Sequence, residues 1–174
     1  YKNVINEAKR LNLEECRNTP LAIETSGHAA MRENYFLDDG AYLITRIIIK
    51  AATLAREGKT LDSLIEALVM PAEAEEYRIK ILTKDFREYG NRVINDLQQY
   101  ISGREDYVIA PDNYEGIRAA HIPSDGWFLL RLSVHDPILP LNIESNKEGG
   151  VQTILSDVKE FLKKYEMLDL SALK

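Results

Sequence analysis

Residues 116–143 read GIRAAHIPSDGWFLLRLSVHDPILPLNI, a run of short apolar segments separated by turn residues. Segments of this length and composition predict strands at residues 116–122, 126–132 and 138–143. The tetrapeptide PSDG at residues 123–126 has the composition of a hairpin turn. Because connections this short favour antiparallel pairing, the second half of the chain should contain an antiparallel sheet.

Neighbouring segments extend this sheet and supply helices to cover it. Residues 77–81 alternate apolar and basic side chains, which predicts a strand with one wet face. Residues 107–109 predict a further short strand. Helical apolar spacing predicts one long helix at residues 86–101, ended by Gly103, and a last helix at residues 151–165. The second half is therefore predicted as β-α-β-β-β-β-α.

Helices dominate the first half of the chain. An amphipathic helix is predicted at residues 2–12. A longer helix should start at Ala41, with Asp38 and Asp39 at its positive N-terminus and Gly58 just past its end. The apolar residues of this longer helix share one face: Ile44, Ile47, Ile48, Ala51, Leu54 and Ala55.

The first half has one predicted strand, the apolar run at residues 21–23, which is typical of a buried strand. Thr60 should cap a second, shorter helix. Its inward-facing residues would be Leu61, Leu64, Ile65 and Leu68. Since one strand cannot build a sheet, this half is interpreted as the tail end of a βαβ domain whose earlier strands are absent.

A change in composition marks a domain boundary. Residues 71–76, PAEAEE, place a proline before acidic residues and predict a linker. We therefore divide the chain into residues 1–72 and residues 73–174. The sequence starts at Tyr1 and enters a helical pattern directly, which predicts a piece of a longer polypeptide.

Composition and charge exclude several classes of protein. The 174 residues are 45% hydrophobic and 29% charged, an ordinary globular balance. A formal charge of −6 excludes a generic nucleic-acid binder, because such binding needs a basic surface. No apolar run approaches the roughly 20 residues of a membrane helix, so no membrane partner is expected. The single cysteine, Cys16, cannot form an internal disulfide and indicates a reduced, cytoplasmic location.

Residues 24–28, ETSGH, place a carboxylate, a hydroxyl, a glycine and an imidazole directly after a predicted strand. The Glu24 carboxylate could accept hydrogen bonds from two vicinal sugar hydroxyls, and the Ser26 hydroxyl can both donate and accept. Gly27 permits close approach of a ligand to the backbone. A polar turn without any ligand would show the same spacing.

Residues 131–137, RLSVHDP, follow a predicted buried strand. An arginine fork at Arg131, the Ser133 hydroxyl and the amides of a turn together make a phosphate cradle. The alternative is that Arg131 simply pairs with a surface carboxylate.

Four segments resemble the C-terminal part of the α-D-phosphohexomutases, the phosphomannomutase/phosphoglucomutase enzymes. Residues 24–28 are similar to the sugar-recognition loop of this family, usually G-E-x-S-G-H, and residues 38–40, DDG, to the acidic pair that follows it. Residues 115–118, EGIR, resemble the D-G-V-R strand of the last domain. Residues 127–133, WFLLRLS, resemble the strand that leads into the phosphate-binding R-x-S-x-T loop. The four motifs occur in the family's order and span nearly the whole chain.

The sequence departs from the family pattern at three places. Ala22 and Ile23 stand where glycines usually precede the loop glutamate, and Glu115 replaces the customary aspartate. Residues 134–136, Val-His-Asp, replace the usual G-T-E or N-T-T after the loop serine.

The resemblance implies a fold and a division of labour. The fold would be α+β: part of an α/β sugar-binding domain, followed by a small TATA-binding-protein-like domain with an antiparallel sheet packed by helices. Glu24, Ser26 and His28 would bind the sugar. The phosphate that is not reacting would be held by Arg131, Ser133, Val134 and His135.

The implied activity of the full-length enzyme is interconversion of hexose 1-phosphate and hexose 6-phosphate through a phosphoserine. Magnesium and a glucose or mannose bisphosphate would take part, with the metal bound outside this chain. The partners would be a hexose phosphate and the N-terminal domains of the same polypeptide. The isolated chain should be inactive, because the family's phosphoserine and metal loops are not in this sequence.

Other functions are weighed against this one. The first is a stand-alone, non-catalytic module that binds sugar phosphates through the same residues. A hydrolase using Ser26 and a histidine is disfavoured because the sequence has no G-x-S-x-G motif. A zinc site is disfavoured because three dispersed histidines and one distant cysteine lack ligand spacing, and His121, on an alternating strand, is expected to be structural.

Overall fold

A computed structural model describes residues 2–24, 26–111, 113–114 and 116–173. Tyr1, Thr25 and Glu115, which belong to features predicted above, lie outside the described residues. The chain divides into two compact units, Tyr1–Leu68 and Val69–Lys174. Among the described residues, every helix is too short or too polar to cross a membrane.

The first unit has a small core beneath a two-stranded hairpin. Its elements are α1 (Lys2–Glu14), β1 (Leu21–Ile23), β2 (Ala29–Met31), a 3-10 turn (Arg32–Asn34), α2 (Gly40–Arg56) and a second 3-10 turn (Leu61–Leu64). Strands β1 and β2 pair antiparallel, with Ala22 opposite Ala30. The buried cluster consists of Ile5, Ala8, Ala22, Ala30 and Phe36.

Strand β1 is present as predicted, but it is not a buried strand. Only its central residue, Ala22, is buried, while Leu21 and Ile23 are exposed. Successive side chains of a strand point to opposite faces, and this hairpin has a core on one face only. The sequence also gave no sign of β2, since three residues directly after a polar loop are too few to show an alternating pattern.

Helix α2 begins where the sequence places it, with the Asp39 carboxylate accepting a hydrogen bond from the Tyr42 N–H at 3.0 Å. Its shared apolar face is largely exposed: Ile48, for example, keeps 62% of its surface accessible, and Leu54 is the buried residue of this helix. The prediction of a second inward-facing helix after Thr60 is wrong. That segment is a single 3-10 turn whose N-cap has no side-chain hydrogen bond, and its apolar residues are exposed: Leu61, Leu64, Ile65 and Leu68.

The second unit is a six-stranded antiparallel sheet with two helices on one face. Its elements are β3 (Glu73–Ile81), α3 (Phe86–Ser102), β4 (Tyr107–Ile109), β5 (Gly116–His121), β6 (Gly126–Arg131), β7 (Ile138–Ser145), α4 (Gly150–Leu162) and β8 (Leu168–Asp169). The strand order is β4-β5-β6-β7-β3-β8. The predicted antiparallel α+β fold of this half is therefore confirmed.

Strand β3 begins within the segment predicted as a linker. Residues 73–76 pair with β7, with Glu73 opposite Ser145. Acidic residues are uncommon in strands, but β8 covers only Lys80 and Ile81, so most of β3 is an open edge where charged side chains remain in water. The Glu73 carboxylate also accepts the Gly149 and Val151 N–H groups at 2.8 and 2.9 Å and so caps α4.

Candidate functional site

The loop at residues 24–28 closes the β1–β2 hairpin. The Glu24 N–H donates to the His28 carbonyl at 3.1 Å, and the Gly27 N–H donates to the Glu24 carbonyl at 3.0 Å. Gly27 has φ +89°, a left-handed conformation that glycine adopts without steric cost. A glycine in this conformation is common in short hairpin loops. The first of these hydrogen bonds brings the backbones of Glu24 and His28 together at the base of the loop.

An aspartate that the sequence assigned to helix capping orients the His28 ring. His28 Nδ1 lies 2.8 Å from Asp38 Oδ2, and Asp39 alone provides the side-chain cap of α2. The Asp38 backbone forms a β-bridge with Ala30, which places its carboxylate beside the end of the hairpin loop. A carboxylate on one ring nitrogen fixes the orientation of an imidazole. This first site can therefore present a carboxylate, a hydroxyl and an oriented imidazole to a polyhydroxylated ligand.

The loop after β6 has a defined backbone hydrogen-bonding pattern. The Ser133 N–H donates to the Ile138 carbonyl at 3.1 Å, and the Ile138 N–H donates to the Asp136 carbonyl at 2.8 Å. The Asp136 N–H donates to Ser133 Oγ at 3.2 Å. Since Ser133 Oγ accepts this bond, its hydroxyl proton remains available to a ligand.

Two consecutive amides of this loop have no partner within the described part of the chain. The N–H groups of Val134 and His135 donate to no carbonyl or side chain there, whereas those of Ser133 and Asp136 do. Consecutive N–H groups in a turn, together with a hydroxyl, form a concavity that can bind an anion. We call residues 131–137 the anion loop.

Arg131 stands at the end of β6, directly before this concavity, and no described carboxylate lies within 4.0 Å of it. The ion pair considered as an alternative is therefore not seen among the described residues. The hydrogen bond from Arg78 holds the pKa of Glu76 below its usual value. The positive charge of Arg131 lowers this pKa further.

Gly116 lies opposite Arg131 in the β5–β6 pair. A Cβ at this position would lie 2.3 Å from the Leu130 carbonyl oxygen and 2.8 Å from Arg131 Cα. The glycine of the EGIR motif therefore lets β5 approach the end of β6 where the anion loop starts. The last residue of the motif, Arg118, packs on an aromatic ring: its guanidinium lies 4.7 Å from the centre of the Trp127 ring.

A cleft of about 400 Å³ runs beside the anion loop, between Ser133 and Val134 on one side and α3 on the other. Its walls are mostly neutral and polar, with one cationic side chain, Arg87, that sequence analysis did not single out. The polar lining residues are Arg87, Asn91, Asn95, Gln98, Asn113 and Tyr114.

At the other end of β5, Asp106, His121 and Asp157 have the spacing of metal ligands, with their ligand atoms within 4.8 Å of one another. The Arg104 Nη2 atom already bonds both carboxylates, at 2.5 Å to Asp106 and 2.8 Å to Asp157. This guanidinium lowers the pKa of Asp106 to about 2. A metal ion would have to displace Arg104, so the group does not fit a metal site.

His121 is buried, as the alternating strand predicts, and its Nδ1 lies 2.6 Å from the Ser124 hydroxyl oxygen. Burial lowers the pKa of His121, and the nearby charge of Asp106 only partly opposes this effect. His121 is therefore a neutral, structural residue that packs within the β5–β6 hairpin with Ser124 as its hydrogen-bond partner.

The fold is similar to part of a solved phosphoglucomutase/phosphomannomutase structure. One match is to the crystal structure of a phosphoglucomutase/phosphomannomutase family protein from Burkholderia thailandensis, with a TM-score of 0.62 and 22% sequence identity. It covers 91% of this chain but 30% of that protein, so the chain spans about a third of its length. No family model and no curated protein sequence matches the chain. The resemblance drawn from the four motifs is thus borne out at the level of the fold.

Proposed function

We propose that the chain is the substrate-binding end of a phosphohexomutase, which interconverts hexose 1-phosphate and hexose 6-phosphate when complete. In this proposal the first unit is part of an α/β sugar-binding domain and the second a TATA-binding-protein-like phosphate-binding domain. The observation that carries the proposal is the anion loop: at the end of β6 lie two amides with no partner among the described residues, a hydroxyl proton that is not used within the loop, and an arginine.

The anion loop would bind the phosphate that is not reacting. Arg131 offers a planar pair of charged donors, while the Ser133 hydroxyl and the Val134 and His135 amides offer three more. Donors held by the backbone do not need to reorganise when the anion arrives. Binding energy gained at this remote phosphate orients the other end of the substrate for transfer.

The hairpin loop of the first unit would bind the sugar ring. The Glu24 carboxylate can accept two hydroxyl hydrogens, and the Ser26 hydroxyl can donate or accept. Vicinal hydroxyls present similar edges in both orientations of a hexose bisphosphate, so one set of side chains can serve both halves of the reaction. His28, oriented by Asp38, completes this set.

The resemblance implies a magnesium ion bound outside this chain, and the Asp106, His121 and Asp157 group does not suit that ion, because Arg104 holds both of its carboxylates. We therefore assign phosphoryl transfer to other parts of the complete enzyme, and positioning of the substrate to this chain.

The test is a titration of the ¹⁵N-labelled chain with inorganic phosphate and with glucose 6-phosphate. We expect both ligands to shift the amide resonances of Val134 and His135, and only the sugar phosphate to shift those of the hairpin loop. Glucose, which lacks phosphate, is the control for the anion loop. If phosphate leaves the resonances of Val134 and His135 unchanged at millimolar concentrations, the proposal is wrong.

A further inference from the structure

One side chain from outside the anion loop holds the carbonyl at its tip. Arg87, in the first turn of α3, donates a hydrogen bond from Nη2 to the Val134 carbonyl oxygen at 3.0 Å. The two residues are 47 positions apart in the sequence, so this contact exists only in the folded unit. Arg87 also lines the cleft beside Ser133 and Val134.

This bond fixes the direction of an amide that the ligand would use. The described backbone contains no cis peptide, and in a trans peptide the C=O and the following N–H point in opposite directions. Since the Val134 carbonyl points to Arg87, the His135 N–H must point away from α3. Without the Arg87 donor, the peptide between Val134 and His135 could rotate and turn its carbonyl toward an incoming anion.

A second contact holds the other side of the loop on the same helix. Leu132, the residue before Ser133, lies over Gly90, where an added Cβ would come within 2.6 Å of its Cδ1 atom. Arg87 and Gly90 are three residues apart and therefore share one face of α3. The first two turns of this helix thus contact the loop on both sides of Ser133.

We propose that Arg87 is a positioning residue of the anion loop: its hydrogen bond to the Val134 carbonyl keeps the His135 N–H turned toward the bound phosphate. This inference rests on the proposed function of the loop. It assigns Arg87 the role of a donor to the protein, and the charge on the phosphate is met by Arg131.

Two substitutions remove the hydrogen bond of Arg87 together with its charge: Arg87→Met, which keeps much of the side-chain length, and Arg87→Ala. Arg92→Gln removes the same charge elsewhere on α3, where Arg92 stacks over the Tyr89 ring at 4.9 Å, and is the matched control. Arg87 is exposed, so none of its variants leaves a hole in the core.

The measurement is the dissociation constant for inorganic phosphate, followed by the amide resonances of Val134 and His135 in the full chain. A net hydrogen bond to a held group corresponds to about a tenfold change in affinity. We expect Arg87→Met and Arg87→Ala to weaken binding about tenfold and to shift the His135 amide resonance even without ligand. Arg92→Gln should stay within about twofold of the unsubstituted chain and leave the ligand-free His135 amide resonance unchanged.

The results distinguish this inference from the function on which it rests. If the unsubstituted chain does not bind phosphate, the proposed function fails and the role of Arg87 fails with it. If it binds phosphate and Arg87→Met binds equally well, only the role of Arg87 is refuted. If Arg87→Met weakens binding but leaves the ligand-free amide resonance of His135 where it is in the unsubstituted chain, the role is also refuted, because the charge of Arg87 would then act without directing the loop.

Discussion

Substitution of Gly116 by alanine tests whether close approach of β5 to β6 builds the anion loop. The new Cβ would lie 2.3 Å from the Leu130 carbonyl oxygen, whereas a carbon and an oxygen in contact need about 3.3 Å. The two strands would therefore have to separate by about 1 Å at this point. The obstructing atoms are the Leu130 carbonyl oxygen and Cα and Cβ of Arg131, whose positions are set by the backbone, so no side-chain rotation can relieve the contact.

The cost follows from this displacement. An N–H···O bond of about 2.9 Å that lengthens by about 1 Å is no longer a hydrogen bond, and each bond lost costs about 1 kcal/mol. Overpacking adds about 1–3 kcal/mol. We therefore expect Gly116→Ala to lower the free energy of unfolding by about 2–4 kcal/mol, which lowers the melting temperature of a unit of this size by roughly 8–20 °C.

The assay pairs thermal unfolding with a phosphate titration. Gly103→Ala is the matched control in the same unit, because its Cβ would meet nothing closer than the Tyr100 carbonyl oxygen at 3.8 Å. Its backbone, with φ −88°, suits any residue, so its stability should change by less than about 0.5 kcal/mol. Gly116→Ala should also bind phosphate more weakly, since Arg131 lies directly opposite. Equal melting temperatures and affinities for the two variants would refute the argument.

Three further substitutions test the two loops and the buried histidine. Arg131→Ala should weaken phosphate binding by about 1.5–3 kcal/mol with little change in melting temperature, and a variant that unfolds or binds normally would contradict the assigned role. Glu24→Gln should weaken binding of glucose 6-phosphate but not of inorganic phosphate; equal loss of both would mean that Glu24 only shapes the fold. His121→Gln should flatten the pH dependence of stability below about pH 6.5, measured by urea unfolding between pH 7 and pH 5. Burial lowers the pKa of His121 in the folded chain, so below that pH the unfolded state alone takes up the proton and the unsubstituted chain loses stability; identical pH profiles would count against this reasoning.

The second unit could be predicted closely because turn residues separate its short apolar strands, although the apolar run of β6 does not itself show which of its side chains are buried. In β6, Phe128 and Leu130 are fully buried while Trp127 and Leu129 are partly exposed, which is the alternation of a one-sided sheet. The turn at residues 123–126 then fixes the pairing of β5 and β6 through local residues alone. Strand β8 escaped prediction because two residues cannot display a period.

The first unit was harder to predict because burial there depends on which element covers each face. The spacing of isoleucines in α2 correctly shows that they share a face, but it says nothing about whether that face is covered. Residues 73–76 of the second unit show a similar limit. Their glutamates look like a linker, and only the open edge of β3 explains how they can occupy a strand.

The site residues that sequence analysis missed act across long separations. Asp38 contacts His28 ten residues away, and Arg87 contacts Val134 over 47 residues. Arg87 is an ordinary polar residue near a helix start in the sequence, where solvation explains it. Asp38 belongs to the DDG motif and was assigned to helix capping together with Asp39. Because only one of the two carboxylates could serve as the N-cap, the pair itself signalled another role for Asp38.

Residues 134–136 differ from the phosphohexomutase pattern in their side chains, whereas the proposed ligand would contact mostly backbone atoms. Within the part of the chain that the structure describes, the Val134 and His135 amides of the anion loop have no partner, and every residue except proline supplies such a donor. The Val134 side chain is exposed, and the Asp136 N–H is already bonded to Ser133 Oγ. What the loop needs from its sequence is therefore the serine that anchors the turn, the arginine before it and a support that directs the amides. Arg87 and Gly90 supply that support from α3, so the sequence of the loop tip can vary while the direction of its N–H groups is retained.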